Sequence, residues 1–528
     1  MAWGTQQKHQ DLERPQGNHM LRAHKAFMRS YVCQKAIQDI LKDNGVVEFD
    51  RSLQLAKLVA PMVRNLVVSH PSMTPGHLRS LLRPFRKSAR IFIVGTPSWT
   101  PQHGLAIAKC LSPAVAARGL LSLNCNNCGT SSRALSVLAM AISKSLPDNT
   151  QTAVYHLPSD QDRIQVNVSG WHIGDPFFSE LSLVLHSKSL VSLDLHGSGP
   201  ADLSAMNQWC QVLSNPEVTL THLDLSGYTM ADEGFLALCK GLSLNHSLTD
   251  LNISNTLKIS STIAAKKALG SALLSNRTLT NLDCSFLALG NTGCQQIGRA
   301  IRKCNIISFL DISGCQGDGS CGSLLRGLSP SGSISLRDLR LTDSDMTDED
   351  GLLLASLLEH QTLPALTRLD ISRVALSSKV VTTIAVTLRK CEAFTSFGFN
   401  GGRHQVLGSS GVIDVIKALQ RSRDLKELAL AYQDAGDSAA QALANLLLLP
   451  SSAVQRVNFT GNVVGNKGAT ALCNAIATIH NRCRPQRTSS QCRSENSHGI
   501  MRLSLEDNVV SQQIAVQLQL KCPCLRIL

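Results

Sequence analysis

One nine-residue pattern recurs down this chain and limits what it can fold into. It runs apolar, two variable, apolar, one variable, apolar, two variable, then a small or amide residue. The plainest copy is Leu190-Val-Ser-Leu193-Asp-Leu195-His-Gly-Ser198, and others begin at Leu220, Leu248, Leu279, Ile307, Leu336, Leu366, Phe394, Leu425, Val454 and Ile500. Earlier copies begin at Leu120 and, in degraded form, at Ser88 and Arg163. Between 163 and 454 successive starts differ by 27 to 31 residues, so the period holds through ten steps. The two longer gaps, 120 to 163 and 454 to 500, mark insertions near 145–162 and 481–498. A fixed period of this length is the signature of a solenoid.

The physical content of the period is direct. Alternation around Leu193 and Leu195 is that of a short strand with one buried face. Each strand is followed by a stretch of helical periodicity, such as 234–242, 297–301 or 352–358. A single strand-plus-helix unit cannot bury its apolar side alone, so copies must stack. Helices are wider than the ~4.8 Å between paired strands, so the stack bends with strands inside and helices outside.

With these copies in place, the sequence resembles the leucine-rich-repeat family, in its ribonuclease-inhibitor-like subclass with a true helix in each long repeat. The resemblance covers residues 88–528 and implies an α/β curved solenoid, a horseshoe of parallel strands inside and helices outside. It says little about function, because one fold hosts many functions. The ninth position, Asn or Cys in that family, is here Cys128, Ser198, Tyr228, Thr256, Leu287, Cys315, Ser344, Val374, Gln433, Asn462 and Asn508. Such varied choices predict an irregular ladder of turns. Upstream, 1–20 reads as a flexible basic tail and 21–87 as a helical N-terminal cap. That cap comprises an amphipathic helix over 21–44, a strand at 46–49 and a second helix over 53–67. Residues 27–33 followed by 45–50 are weakly similar to the N-termini of centrosomal and ciliary leucine-rich-repeat proteins, which implies a cytoplasmic protein at the cytoskeleton, cilium or centrosome.

Charge narrows the partners. The net +13 falls entirely on the ends: 1–90 carries +9 and 480–528 carries +4, while 91–479 has 29 basic and 29 acidic residues. A nucleic-acid surface needs a concentrated basic stripe, which the long middle does not supply. No apolar run is long enough to span a bilayer, and the first residues lack the apolar stretch of a secretory signal. Seventeen cysteines in such a chain are expected as reduced thiols in a cytoplasmic setting.

Candidate chemistry is sparse. No Gly-rich phosphate loop with a following Lys-Ser/Thr, nucleophile elbow or zinc-protease motif occurs, so no enzymatic activity and no cofactor is expected. Cys125, Cys128, Cys284 and Cys315 fall on inward strand or turn positions and read as core. Cys522 and Cys524 read as part of a terminal cap. His480, Cys483, Cys492 and His498 have ligand types for zinc, but the eight-residue gap between the cysteines lacks the usual tight pair. The Ser/Arg-rich stretch around them has the composition of a phosphorylated contact.

Parallel strands in register would align equivalent side chains into rows on the inner wall. The fifth position gives Asp194, Asp224, Asn252, Asp283, Asp311 and Asp370, broken by Arg340; the third gives His222, Asp250, Asn281, Phe309 and Asp338, then Arg368, Arg456 and Arg502. We therefore expect a protein-binding face around Asp194, Asp224, Asp250, Asp283, Phe309, Asp311 and Asp370 that meets basic segments of a protein partner. Tyr228 and Tyr432 are further candidate anchors. The function expected is a non-catalytic scaffold or adaptor in a large assembly. The alternatives are a small-GTPase activator, disfavoured by the basic C-terminus, and an enzyme inhibitor.

Overall fold

Short parallel strands, most of those in the second half leading into a helix, make up the described parts of a computed structural model of the chain. It describes residues 65–68, 74–84, 91–94, 102–103, 106, 122–124, 164–167, 190–197 and 203–527, apart from 259, 316–318, 330–332, 403–405 and 484–501. The chain forms two units, Met1–Tyr228 and Thr229–Leu528.

The first unit contains β1 (Asn65–Val68), α1 (Pro75–Leu82), β2 (Ile91–Val94), β3 (Ser122–Asn124), β4 (Ile164–Asn167), β5 (Leu190–Asp194), α2 (Leu203–Leu213) and β6 (His222–Asp224). Each strand pairs in parallel with the next, with one register shift at Ile164/Gln165. Residues 65–67, expected as the end of a helix, instead open β1, which pairs with Ile91–Val94. Asn65-Leu-Val-Val68 carries two adjacent β-branched residues, and a neighbouring strand rewards that more than helical spacing does. The other expectations for 21–64, the insertion at 145–162, Cys125 and Cys128 lie outside the described residues.

The second unit repeats one motif. Its strands are β7 (Asp250–Asn252), β8 (Asn281–Asp283), β9 (Phe309–Asp311), β10 (Asp338–Arg340), β11 (Arg368–Asp370), β12 (Ser396–Gly398), β13 (Glu427–Ala429), β14 (Arg456–Asn458), β15 (Arg502–Ser504) and β16 (Leu525–Arg526). Its helices are α3 (Asp232–Leu244), α4 (Ile263–Ser275), α5 (Gly290–Cys304), α6 (Ser320–Leu328), α7 (Asp348–Glu359), α8 (Ser378–Thr387), α9 (Gly408–Leu419), α10 (Gly436–Leu448), α11 (Asn466–Cys483) and α12 (Gln512–Lys521). The strands pair in sequence order, parallel and residue for residue.

The apolar positions of the sequence pattern make the core. Leu248, Leu251 and Ile253, and equally Leu279, Leu282 and Cys284, are at most 3% exposed. Burying each leucine or isoleucine contributes roughly 1.5–3 kcal/mol, which is why the period is kept so strictly. The second and third variable positions, between these buried residues, are left to face outward as one wall.

Two ladders at the turns hold neighbouring repeats together. At the helix starts, the Asp232 carboxylate accepts from the Thr262 N–H (2.6 Å), Asp348 from Ser377 (2.8 Å) and Asp437 from Gly465 (2.7 Å), while the Asn466 amide oxygen accepts from Ser511 (2.9 Å). An acidic or amide residue in the first helical turn therefore also closes the next repeat's entry. This ladder was invisible in the nine-residue pattern because it joins residues outside it. At the ninth position the irregularity expected from sequence is confined: Leu287 and Val374 are buried and apolar, whereas Gln433, Asn462 and Asn508 form a continuous hydrogen-bonded run.

The thiols described are free, and most are buried. Burial pushes the Cys391 thiol up to about 11, and burial together with the Cys522 contact pushes Cys473 up to about 12, against an ordinary 9.0. Folded thiols thus hold their protons where unfolded ones lose them. Their contribution to stability is complete below pH 9 and is lost as pH rises towards 11–12. Urea midpoints are expected to stay level to about pH 8.5 and fall above it. A Cys391→Ala/Cys473→Ala variant should fall less steeply. An identical slope in that variant would show that these two thiols are not responsible.

Candidate protein-binding face

The site is built from the outward positions of the strands. In the second unit, register places Asp250, Asn281, Phe309, Asp338, Arg368, Ser396, Glu427, Arg456 and Arg502 in one row. A parallel row holds Asn252, Asp283, Asp311, Arg340, Asp370, Gly398, Ala429, Asn458, Ser504 and Arg526. Asp250, Asp283, Phe309, Asp311 and Asp370 therefore share one face, half-buried between neighbours. Asp194 and Asp224 lie in register with each other in the first unit.

Most fifth-position carboxylates already do local work. The side-chain oxygen of the fifth residue accepts from the N–H two residues on in Asp194–His196, Asp224–Ser226, Asn252–Ser254, Asp283–Ser285, Asp311–Ser313 and Asp370–Ser372, at 2.8–3.0 Å. This turn explains why Asp or Asn recurs there and why Ser follows it. Burial pushes the Asp311 carboxyl up, the Ser313 hydroxyl and N–H lower it, and the neighbouring Asp283 charge raises it again.

Where the fifth residue cannot accept, the turn borrows from a neighbouring repeat. For Arg340 the turn N–H of Thr342 donates to the Ser313 hydroxyl (3.1 Å); for Gly398 the Asn400 N–H donates to Ser372 (2.9 Å); for Ala429 the Ala431 N–H donates to the Asn400 amide oxygen (2.9 Å). The strand face at β10, β12 and β13 is thereby relieved of the turn's requirement. Arg340 uses that freedom. Its guanidinium lies 3.3 Å from Asp338, 3.9 Å from Asp311 and 4.8 Å above the centre of the Phe309 ring. Burial opposes its charge, but Asp338, Asp311 and Asp370 hold it above the usual arginine range.

The network continues across the strands. Arg368 meets Asp338 (3.8 Å) on one side and Glu427 (3.2 Å) on the other, reaching over Ser396, whose hydroxyl also donates to Glu427 (3.2 Å). Glu427 in turn pairs with Arg456. Apart from Arg340–Asp338, two residues apart on one strand, these charge pairs join residues about 30 or 60 positions apart; the register supplied by the period was the signal that would have found them.

At the rim of this face, the eighth position of the repeat is left-handed, with φ between 54° and 65° in Asn255, Phe286, Gly314, Asp343, Arg373, Tyr432, Gly461 and Asp507. Phe286 and Tyr432 are each 50% exposed and spread over a glycine of the next repeat, so an added Cβ at Gly314 or Gly461 would come within 2.4 Å of a ring atom. The Tyr432 hydroxyl reaches Asp507, 2.7 Å away. Phe286 was not foreseen as an exposed aromatic. Tyr228, expected as an anchor, is fully buried and cannot contact a partner.

Nothing in the described residues forms a metal-binding cluster, and no described helix is long and apolar enough to cross a membrane. Cys492 and His498 lie outside the described residues, as does the Cys483 side chain.

The repeats just described have the leucine-rich-repeat fold, parallel strands in sequence order alternating with helices. No protein-family model matches the chain. Among curated proteins it is similar to NACHT, LRR and PYD domains-containing protein 5 of Homo sapiens, 26% identical over 263 residues, covering 49% of this chain and 21% of that protein. It is also similar to protein 12 of the same name in Mus musculus (27% over 300 residues; 56% and 27%) and to the ribonuclease inhibitor of Mus musculus (28% over 263 residues; 48% and 54%). The match thus spans between about a fifth and about half of these relatives' lengths. Among solved structures, an internalin of Listeria monocytogenes is 13% identical with a TM-score of 0.36, covering 66% of this chain and 81% of that one.

Proposed function

We propose that this protein is a non-catalytic binding scaffold whose strand face holds a segment of another protein. The observation that carries this reading is the run from Phe309 through Arg340, Asp338, Arg368 and Glu427 to Arg456, in which charged groups and a half-buried aromatic are held in fixed positions across six strands. Such a pre-ordered surface loses little side-chain entropy on binding, and Arg and aromatic residues dominate binding hot spots. The similarity to a protein named ribonuclease inhibitor supports a binding role. The cytoskeletal or ciliary location implied by residues 27–50 belongs to this proposal, and imaging a tagged copy tests it.

The turn geometry dictates how to test the face. Alanine at Asp283 or Asp311 would remove a turn acceptor, but asparagine keeps the oxygen and removes only the charge. In quantitative proximity labelling, Phe309→Ala with Arg340→Ala is expected to deplete the specifically labelled proteins at least tenfold relative to wild type. A helix-side variant, Lys467→Glu, should leave them unchanged. Retention of every labelled protein in the strand-face variant would remove the proposal.

A further inference from the structure

The strand face of the second unit changes sign along its length. Its first three strands contribute Asp250, Asp283 and Asp311 at the outward positions and no cation. The middle strands neutralise themselves and reach back to the first: Arg340 answers Asp338 and lies 3.9 Å from Asp311, Arg368 answers Asp338, and Glu427 answers Arg368 and Arg456. The last strands carry Arg456, Arg502 and Arg526, with Asn458 and Ser504 beside them. Arg502 and Arg526 are exposed, and among the described residues no carboxylate lies within ion-pairing distance of either.

We propose that the partner is a polypeptide segment of reversed polarity, with basic side chains over β7–β9 and acidic side chains over β14–β16. The inference rests on the strand-face reading above and names its partner. Charge complementarity decides the class. A nucleic acid carries one sign along its whole length, so a strand drawn to Arg502 and Arg526 would meet Asp311, Asp283 and Asp250 further along the same face. A polypeptide can change sign. Nine strand spacings of ~4.8 Å separate β7 from β16, about 43 Å, which an extended chain covers in about 13 residues. The self-neutralised centre, with Phe309 and the small residues Ser396, Gly398 and Ala429, leaves room for uncharged side chains midway. Potentials matched end to end also fix the partner's direction and speed its encounter.

The test uses the full chain and fluorescein-labelled eighteen-residue peptides: one with four lysines at one end and four glutamates at the other around a Gly/Ser centre, one uniformly lysine-rich, one uniformly glutamate-rich, plus a twenty-base-pair DNA duplex. Anisotropy titrations at two salt concentrations read the affinities. The block peptide is expected to bind at least tenfold more tightly than either uniform peptide and than the duplex. Asp283→Asn with Asp311→Asn should reduce block-peptide and lysine-peptide binding about fivefold or more and leave the glutamate peptide unaffected. Arg502→Glu with Arg526→Glu should do the converse. Equal affinity for all three peptides, lost in the strand-face variants, would overturn the polarity while leaving the strand-face reading standing. Tighter binding of the duplex would overturn the polypeptide assignment. Affinities unchanged by every strand-face variant would overturn both.

Discussion

Replacing Gly298 with valine is expected to lower the unfolding free energy by about 3 kcal/mol, the upper end of overpacking costs in a dense interior. Helices α5 and α6 meet backbone to backbone at this point. A Cβ at Gly298 would lie 2.4 Å from the Leu324 carbonyl oxygen and 2.9 Å from the Gly327 Cα, and one at Gly327 would lie 2.6 Å from the Gln295 carbonyl oxygen. The obstacles are main chain, so no side-chain rotation relieves them. Alanine at 298 gains about 1 kcal/mol in helix propensity, yet should still destabilise, because the helices must separate to admit it. Urea unfolding of Gly298→Val beside Gly76→Ala measures the difference. At Gly76 the nearest atom is 3.9 Å away, so that change should be neutral. A wild-type midpoint for Gly298→Val would show that the two helices do not pack this closely.

Asn462→Ala should cost a similar amount, about 3 kcal/mol, by a different mechanism. Asn462 is fully buried. Its amide nitrogen donates to the Leu430 (2.7 Å) and Phe459 (3.1 Å) carbonyls, and its amide oxygen accepts from the Gln433 N–H (2.8 Å). Truncation leaves a buried donor and two buried carbonyls without this partner, and each unsatisfied group costs about 1–3 kcal/mol. Gln433 and Asn508 extend the run on either side, so hydrogen exchange should quicken at Gln433 as well as at 462 itself. The comparison is Thr256→Val at the equivalent position, where the hydroxyl makes one bond to the Ile253 carbonyl (2.7 Å) and about 1 kcal/mol is at stake. If Asn462→Ala costs no more than Thr256→Val, the ladder contributes no more than a single turn bond.

Those two sites illustrate different degrees of legibility. Asn462 was marked by the pattern, since the ninth position of the repeat is where a side chain bonds turn backbone. Gly298 was not, because a glycine inside a helical stretch shows its purpose only when the neighbouring helix is in place. The same divide runs through the candidate face. The rows containing Asp283, Asp311 and Asp370 follow from the period, and the structure aligns them as expected. Their local duty as turn acceptors, and the release of Arg340 from that duty by Ser313, depend on hydrogen bonds within and between turns. Tyr228 shows the limit of reasoning by position: the ninth residue of the repeat is buried here as at Leu287, Val374 and Asn462, so an aromatic there adds packing rather than contact area.

By itself the sequence determined the repeat length, the strand and helix of each period described in the second unit, and the order in which charges appear along its strands. It could do so because every copy must carry the same regularly spaced apolar residues to bury against its neighbours, so the requirement is written into each repeat. Tertiary structure decided which charges answer one another, which turns borrow a neighbour's hydroxyl and which aromatics remain exposed. Those outcomes depend on side chains a whole repeat or more apart coming within a few ångströms, a distance that only stacking sets.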